Sequence, residues 1–180
     1  MRQFPEINES FRGFIEKQKI FFVGTAAPEG RVNIAPKGMD SLRVLGPNRI
    51  VWLNLTGGEN ESAAHLRETA RMTLMWCAFD SNPMILRTYG TATEIHPRDS
   101  SWEELARLFP VLPGARQIFD VTVDLVLRSC GMGVPRFEFR GQRESLRQWA
   151  ETIGDNGIKQ FWHEHNQISL DGKPTGILKP

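Results

Sequence analysis

The first apolar pattern along the chain is helical. Ile7, Phe11, Phe14 and Ile15 recur at the spacing of one helix face, with Asn8 or Ser10 placed to cap it. The period then changes. Residues 19–26 (KIFFVGTA) are rich in β-branched and aromatic types, Pro28-Glu29-Gly30 marks a turn, and 31–35 (RVNIA) follows, so this stretch predicts a β-hairpin. Gly46-Pro47-Asn48 introduces a strand over 49–55, which Thr56-Gly57-Gly58 breaks. Residues 61–69 predict a short helix. Residues 71–79 (RMTLMWCAF) are mostly apolar, which predicts a central strand buried on both faces. Residues 84–96 predict a long strand, and Gly90 inside it predicts a bend or bulge. Ser101 and Glu104 stand at capping-box spacing before a helix that Pro110 stops. Residues 117–129 predict a strand and 134–139 a last short one. From about Glu144 the spacing is helical again, through Leu146, Trp149, Ile153, Ile158, Phe161 and Trp162. The segment 169–180, rich in Gly and Pro, reads as a loose C-terminal tail.

Six or seven strands with three or four helices, mostly short connections and no regular strand–helix alternation predict a mainly β chain. The architecture expected is an antiparallel barrel with peripheral helices, one domain over 1–168 followed by the tail. Composition agrees: 180 residues, 40% hydrophobic and 24% charged, make one folded domain with a sizeable core. Lys plus Arg number 22 against 21 Asp plus Glu, a net charge of +1 that argues against a nucleic-acid or anionic-membrane surface. No apolar run approaches the roughly 20 residues of a membrane helix. The start carries no signal core, so a cytoplasmic location is expected. Cys77 and Cys130 are too few for a disulfide framework or a zinc finger, and both sit among apolar residues as expected buried hydrophobes.

Three stretches carry candidate chemistry. In 52–66 (WLNLTGGENESAAHL) a strand ends, a glycine loop turns and a helix begins near Asn60 to Ser62; unpaired N–H groups of a first helical turn attract anions. Asn60 and Ser62 can add side-chain hydrogen bonds; the other role open to Asn60 is that of a simple N-cap. In 33–43 (NIAPKGMDSLR), Pro36 and Gly38 flank Lys37, a candidate phosphate ligand or a solvated turn lysine. In Ile85–Gly90, Arg87 and Tyr89 share one strand face, so Arg87 is free to meet an anion, Glu94 or Asp80. His163 and His165, two apart on a helix, point to different sides and form no metal pair, and no metal site is expected. A nucleophile elbow, a Walker loop and a complete G-x-G-x-x-G are all absent from the sequence.

Taken in order, Phe21–Thr25, Arg31–Gly38, Ile50–Asn54, Asn60–Leu66, Arg71–Met75 and Leu86–Ala92 resemble the FMN-binding split-barrel family related to pyridoxamine 5′-phosphate oxidase, over about residues 7–96. The resemblance implies a six-stranded antiparallel split β-barrel. It also implies a homodimer with FMN in grooves at the interface, and an FMN-dependent oxidoreductase acting on a small-molecule redox substrate. The cofactor-binding residues it implies are Asn60, Glu61 and Ser62 at the phosphate corner. Asn33, Pro36, Lys37, Trp52, Leu53 and Asn54 are implied as walls or ligands, with Ile85 and Arg87 on the next strand. The family's oxidases carry a serine followed by basic residues at the phosphate corner. Here Glu61 is acidic, which assigns neutralisation of the phosphate to Lys37 and Arg87. The arginine–histidine pair that grips the pyridoxal substrate has no counterpart, and no catalytic residue is assigned. The other roles compatible with such a barrel are a non-catalytic flavin binder or sensor, a heme or deazaflavin protein, and a cofactor-free structural dimer.

Overall fold

The computed structural model describes residues 2–178. In chain order the elements are β1 (Arg2–Phe4), α1 (Glu9–Lys17), β2 (Phe21–Thr25), β3 (Asn33–Lys37), β4 (Leu42–Gly46), β5 (Arg49–Leu55), α2 (Glu61–Leu66), β6 (Arg71–Cys77), β7 (Ile85–Ile95), α3 (Trp102–Ala106), β8 (Ala115–Ser129) and α4 (Ser145–His165). The strands pair antiparallel in the order β3-β2-β6-β7-β8-β5-β4, and β1 adds to the far end of β8. The class is the one expected, with eight strands instead of six. The hairpin predicted over 19–35 forms as β2–β3, with Phe21 opposite Lys37 and Thr25 opposite Asn33.

The two sheet edges, β3 and β4, are consecutive in the chain. The link 38–41 lets their ends lie at most ~18 Å apart, whereas a flat sheet of seven strands would hold them ~29 Å apart. The sheet must therefore curl until its edges approach. Across the seam the Phe21 and Trp52 rings lie 6.0 Å apart, and the Lys37 ammonium stands 5.6 Å from the Trp52 ring. The link is tightly determined. Met39 and Asp40 both take left-handed backbone (φ 61° and 55°), which for non-glycine residues costs about 1–2 kcal/mol each. The Ser41 hydroxyl donates to the Gly38 carbonyl at 2.7 Å, and the Arg43 guanidinium grips the Asp40 carboxylate at 2.8 and 2.9 Å.

Two bulges in β8 shape the curl. Between β7 and β8, Tyr89 faces Leu125 but Gly90 faces Val123, so Asp124 is an extra residue, as the glycine inside the 84–96 strand predicts. Between β5 and β8, Asn54 faces Gln117 but Leu55 faces Ala115, which makes Arg116 the extra residue and re-aims its side chain. The barrel interior holds Val23, Ile50, Leu74, Leu86 and Val121 around Trp52 and Phe119, whose rings stack at 4.5 Å. Helix α1 seals it with Phe11 and Ile15, and its cap is Asn8, which accepts from the Phe11 N–H at 2.9 Å.

Some expectations need correction. β6 is central, but its outer face is only half covered; the strand buried on both faces is β5. The reason is α3: Leu105 and Phe109 pack on Val51, Leu53 and Ile118 and so cover the outer face of β5. Ser101 stands before α3 without a side-chain capping bond. Residues 134–139 form no strand: the segment runs outside the sheet, and the Phe137 N–H donates to the carbonyl of Phe79, a residue beyond the end of β6, at 3.1 Å. Cys77 is buried but Cys130 is exposed. The segment after Ser169 is packed, not loose, as far as Leu178. Thr175 Oγ1 donates to the Asn166 carbonyl, Lys173 pairs with Glu68 at 2.6 Å, and the Arg31 guanidinium pairs with Asp171. Lys179 and Pro180 lie outside the described residues. Among the described residues, no helix is long and apolar enough to cross a membrane.

Candidate functional site

Strand alternation decides which face each candidate residue presents. On β3, Asn33, Ala35 and Lys37 lie opposite the core-facing Thr25, Val23 and Phe21, so these three point inward while Ile34 and Pro36 point outward. Inside, the Lys37 ammonium donates to Asn54 Oδ1 at 3.3 Å. Asn54 is buried at the end of β5, and its Nδ2 donates to Gln117 Oε1 at 3.2 Å. Gln117 Nε2 donates in turn to Glu94, whose carboxylate meets His96 Nε2 at 2.9 Å. A continuous polar row thus crosses the barrel mouth from β3 to β7.

The bulged Arg116 lies beside this row, almost wholly buried. Its guanidinium donates to Asn166 Oδ1 at 2.7 Å and to the Glu59 carbonyl at 2.9 Å. Asn166, at the end of α4, donates to the Gly57 carbonyl at 3.0 Å, so the helix end and the glycine loop are tied to one guanidinium. Next to Glu59, Asn60 occupies the N-cap position of α2 with 4% exposure, yet its side chain makes no capping bond. Among the described residues neither its Nδ2 nor its Oδ1 has a partner. Buried polar atoms without partners are rare and mark strain or an absent ligand or water. Ser62, on the first turn of α2, accepts from Asn33 Nδ2 at 3.2 Å and from the Thr25 hydroxyl at 3.3 Å. Thr25 also meets the buried His65 Nδ1 at 3.0 Å.

The charge balance favours an anion. Burial, with Arg116 adding repulsion, pushes the Lys37 ammonium down to about 8, against a smaller pull upward from Glu59. Burial likewise pushes Arg116 down to about 10, while Glu94 pulls it up. Among the described residues, no carboxylate lies within ion-pair distance of either cation; the oxygens they touch are uncharged. No group of three or more metal-ligating side chains is present among the described residues.

The lowered Lys37 pKa yields a stability prediction. Between about pH 8 and the ordinary lysine value of 10.5, the folded chain has lost the Lys37 proton while the unfolded chain still holds it. The unfolded state then binds more protons, so stability rises with pH across that window. Relative to Lys37→Met, the wild-type chain is expected to gain on the order of 3 kcal/mol between pH 7.5 and pH 10.5. Urea unfolding of both proteins at the two pH values checks this, and a constant difference rejects it.

The sequence-derived residues therefore fall into two groups. Asn33, Lys37, Trp52, Asn54, Asn60 and Ser62 line the inner side of the seam. Pro36, Ile85 and Arg87 lie on the outer face of the sheet, where Arg87 stands beside Met75 and Leu127 and donates to Ser129 Oγ at 3.3 Å. Leu53 turns toward α3. Glu61 turns toward the C-terminal segment and accepts from the Leu170 N–H at 2.8 Å, which removes its charge from the Asn60–Ser62 corner. Arg116, Gln117, Glu94, Asn166 and His65 belong to the site without a sequence signal, since their strand or helix positions look ordinary until a bulge or tertiary packing aims them inward.

The pyridoxamine 5′-phosphate oxidase family model matches residues 7–130. A pyridoxamine 5′-phosphate oxidase family protein of Aspergillus flavus, ustO, is 31% identical over 189 aligned positions, covering 95% of this chain and 76% of that protein. Among solved structures, a pyridoxamine 5′-phosphate oxidase-type protein of Lactobacillus delbrueckii has a TM-score of 0.56 at 21% identity, over 71% of this chain and 99% of its own. HupZ of Group A Streptococcus has a TM-score of 0.53 at 17% identity, over 69% and 97%. The two structures share the curled antiparallel sheet, and the extent of the family match and the identity to the Aspergillus protein establish that the chain belongs to the pyridoxamine 5′-phosphate oxidase family.

Proposed function

We propose that this protein is an FMN-binding flavoprotein that acts as an FMN-dependent oxidoreductase on a small-molecule substrate. One observation carries the reading: the half-buried Lys37 and the buried Arg116 form no ion pair with a carboxylate among the described residues, and Arg116 donates to the Glu59 carbonyl next to the unpartnered amide of Asn60. Uncharged oxygens satisfy donors but do not cancel charge, so the site is complementary to a ligand that brings a negative group and both donors and acceptors. FMN has a phosphate and a ring edge of that kind, and it fits the residues present. Asn60 and Ser62 would hold the phosphate, Lys37 and Arg116 would neutralise it, and Asn33 and Asn54 would fix the ring edge. When bound, the flavin supplies hydride acceptance; the chain's own residues orient it and exclude water.

The outer group supports a homodimer as part of this reading. Ile85 and Arg87 share the outer face with Val32 and Ile34, which are 69% and 68% exposed on and beside β3. Apolar side chains so open to water favour a partner surface.

The visible spectrum of the purified protein, with mass identification of what denaturation releases, tests the reading. Flavin bands and released FMN are expected; a colourless protein that takes up no added FMN overturns it. Reduction by NADH or NADPH with turnover separates an oxidoreductase from a passive flavin carrier. Lys37→Ala is expected to raise the FMN dissociation constant by about 10- to 100-fold, the loss of one or two charge-assisted bonds. Equilibrium titration of the apoprotein by flavin fluorescence quenching measures it, and unchanged affinity removes Lys37 from the site.

A further inference from the structure

A cleft of about 910 Å³ lies beside the seam, and its roof is formed by residues beyond the part of the chain that matches the family model, 7–130. Its floor is Ile20, just before β2, and Phe22 of β2 with Pro36 of β3, Met39 closes one end, and Phe79 forms a wall. The roof is the extended segment carrying Phe137 and Phe139, followed by Leu146. That segment is anchored at both ends of the cleft. The Phe137 N–H donates to the Phe79 carbonyl at 3.1 Å, and Gln142 Nε2 donates to the Lys19 carbonyl at 3.4 Å. The Phe79 and Phe137 rings lie 5.3 Å apart. Phe137 and Phe139 nevertheless remain 66% and 54% exposed, held over open space instead of packed into a core.

Chemistry and size define the ligand. Four phenylalanine rings offer faces and edges for stacking with another aromatic system. Lys17, Lys19 and Arg143 outnumber the acids Asp80 and Glu138 around the cleft, and the Lys19 ammonium stands 6.0 Å from the Phe139 ring centroid. A cavity of roughly 150 Å³ accommodates a single benzene ring, so this cleft far exceeds the needs of a single-ring substrate. Lys37 and Gly38 also border the cleft, so it reaches the end of β3 from which the Lys37 side chain turns inward to Asn54.

We propose that this cleft binds a bulky multi-ring aromatic anion, which is the substrate class of the redox site. The binding claim stands on the cleft alone; the word substrate rests on the flavin reading above.

The probe is 1-anilinonaphthalene-8-sulfonate, titrated by its fluorescence into the full-length protein as purified. Its uncharged analogue N-phenyl-1-naphthylamine and single-ring benzoate serve as comparators. One sulfonate probe per chain is expected, and benzoate at equal concentration should not displace it. The Phe137→Ala, Phe139→Ala double variant should raise its dissociation constant about tenfold. Both rings are more than half exposed, so their removal leaves the core intact, and circular dichroism checks that. Lys19→Gln with Arg143→Gln should weaken the sulfonate several-fold and leave the uncharged analogue unchanged. Wild-type affinity in the phenylalanine variant overturns the proposal. So do displacement by benzoate and a loss of probe binding as the protein self-associates, which would mean that a second copy fills the cleft. Flavin content is read from the visible spectrum of the same samples. A flavin-free protein that keeps this binding pattern overturns the redox reading and supports the cleft.

Discussion

Gly90→Ala is expected to leave little folded protein. Gly90 sits where β7 meets the bulge of β8, and a Cβ built there falls inside the Thr122 carbonyl oxygen, 2.9 Å from the carbonyl carbon and 3.1 Å from the Val123 Cα. All three neighbours are backbone atoms of the longest strand, which is paired on both sides with β7 and β5. No rotamer change relieves the overlap; the two strands must separate, and with them the bend that curls the sheet. The cost expected exceeds about 4 kcal/mol, in the range where single substitutions unfold small domains. Gly46→Ala is the control, because nothing lies within 4 Å of the Cβ it would add, and it should change stability by less than ~1 kcal/mol. Soluble yield and the urea midpoint of the two variants decide the matter. A Gly90→Ala protein with the wild-type midpoint would show that the strands do not approach as described.

Arg116→Met is expected to damage both the fold and the site. Methionine keeps the length of the stem but leaves the buried Asn166 Oδ1 and the part-buried Glu59 carbonyl without their donors. Two unsatisfied acceptors at about 1–3 kcal/mol each, offset by the desolvation of a charge no longer required, put the loss at ~3 kcal/mol. A second readout separates this role from simple filling of space. Arg116 is one of the two causes that lower the Lys37 pKa, so its removal should move that pKa upward and narrow the pH window in which stability rises. Arg116→Lys should keep Lys37 depressed while still losing the two-pronged grip on the end of α4 and the glycine loop. If Arg116→Met unfolds at the wild-type urea concentration, or leaves the pH dependence of Lys37 unaltered, the guanidinium is not the tie between these elements.

Much of the fold was legible along the chain. Ile7, Phe11 and Ile15 repeat at helical spacing, and Asn8 caps that helix as its position suggests. The β2–β3 hairpin follows from two strand-like runs around a Pro-Glu-Gly turn, and Gly90 marks the bend in β7. These signals are local: a turn, a cap and a period act over a few residues, so their physics is written in neighbouring positions. β4 was not legible. Its five residues lie next to Lys37 and Gly38, whose types suggest loop chemistry, and only the edge of β5 makes them a strand.

The site divides in the same way. Asn33, Lys37, Asn54 and Ser62 stand out by residue type next to glycines, prolines and element ends, and the structure gathers them at one seam. Arg116 does not stand out, because its inward aim comes from one extra residue in a pairing register, a property of two strands more than 50 residues apart. Likewise, Pro36 and Lys37 are neighbours in sequence yet lie on opposite faces of the sheet, a separation set by the pleat and by which face the core covers. The chain alone thus determined its helices, its hairpin, its bend and the residue types that favour an anion, because each depends on short-range conformational preference. Only the tertiary structure decided which charges are buried without a partner, which face the C-terminal segment covers and where a cleft is left open, because desolvation and close packing act between residues that only folding brings together.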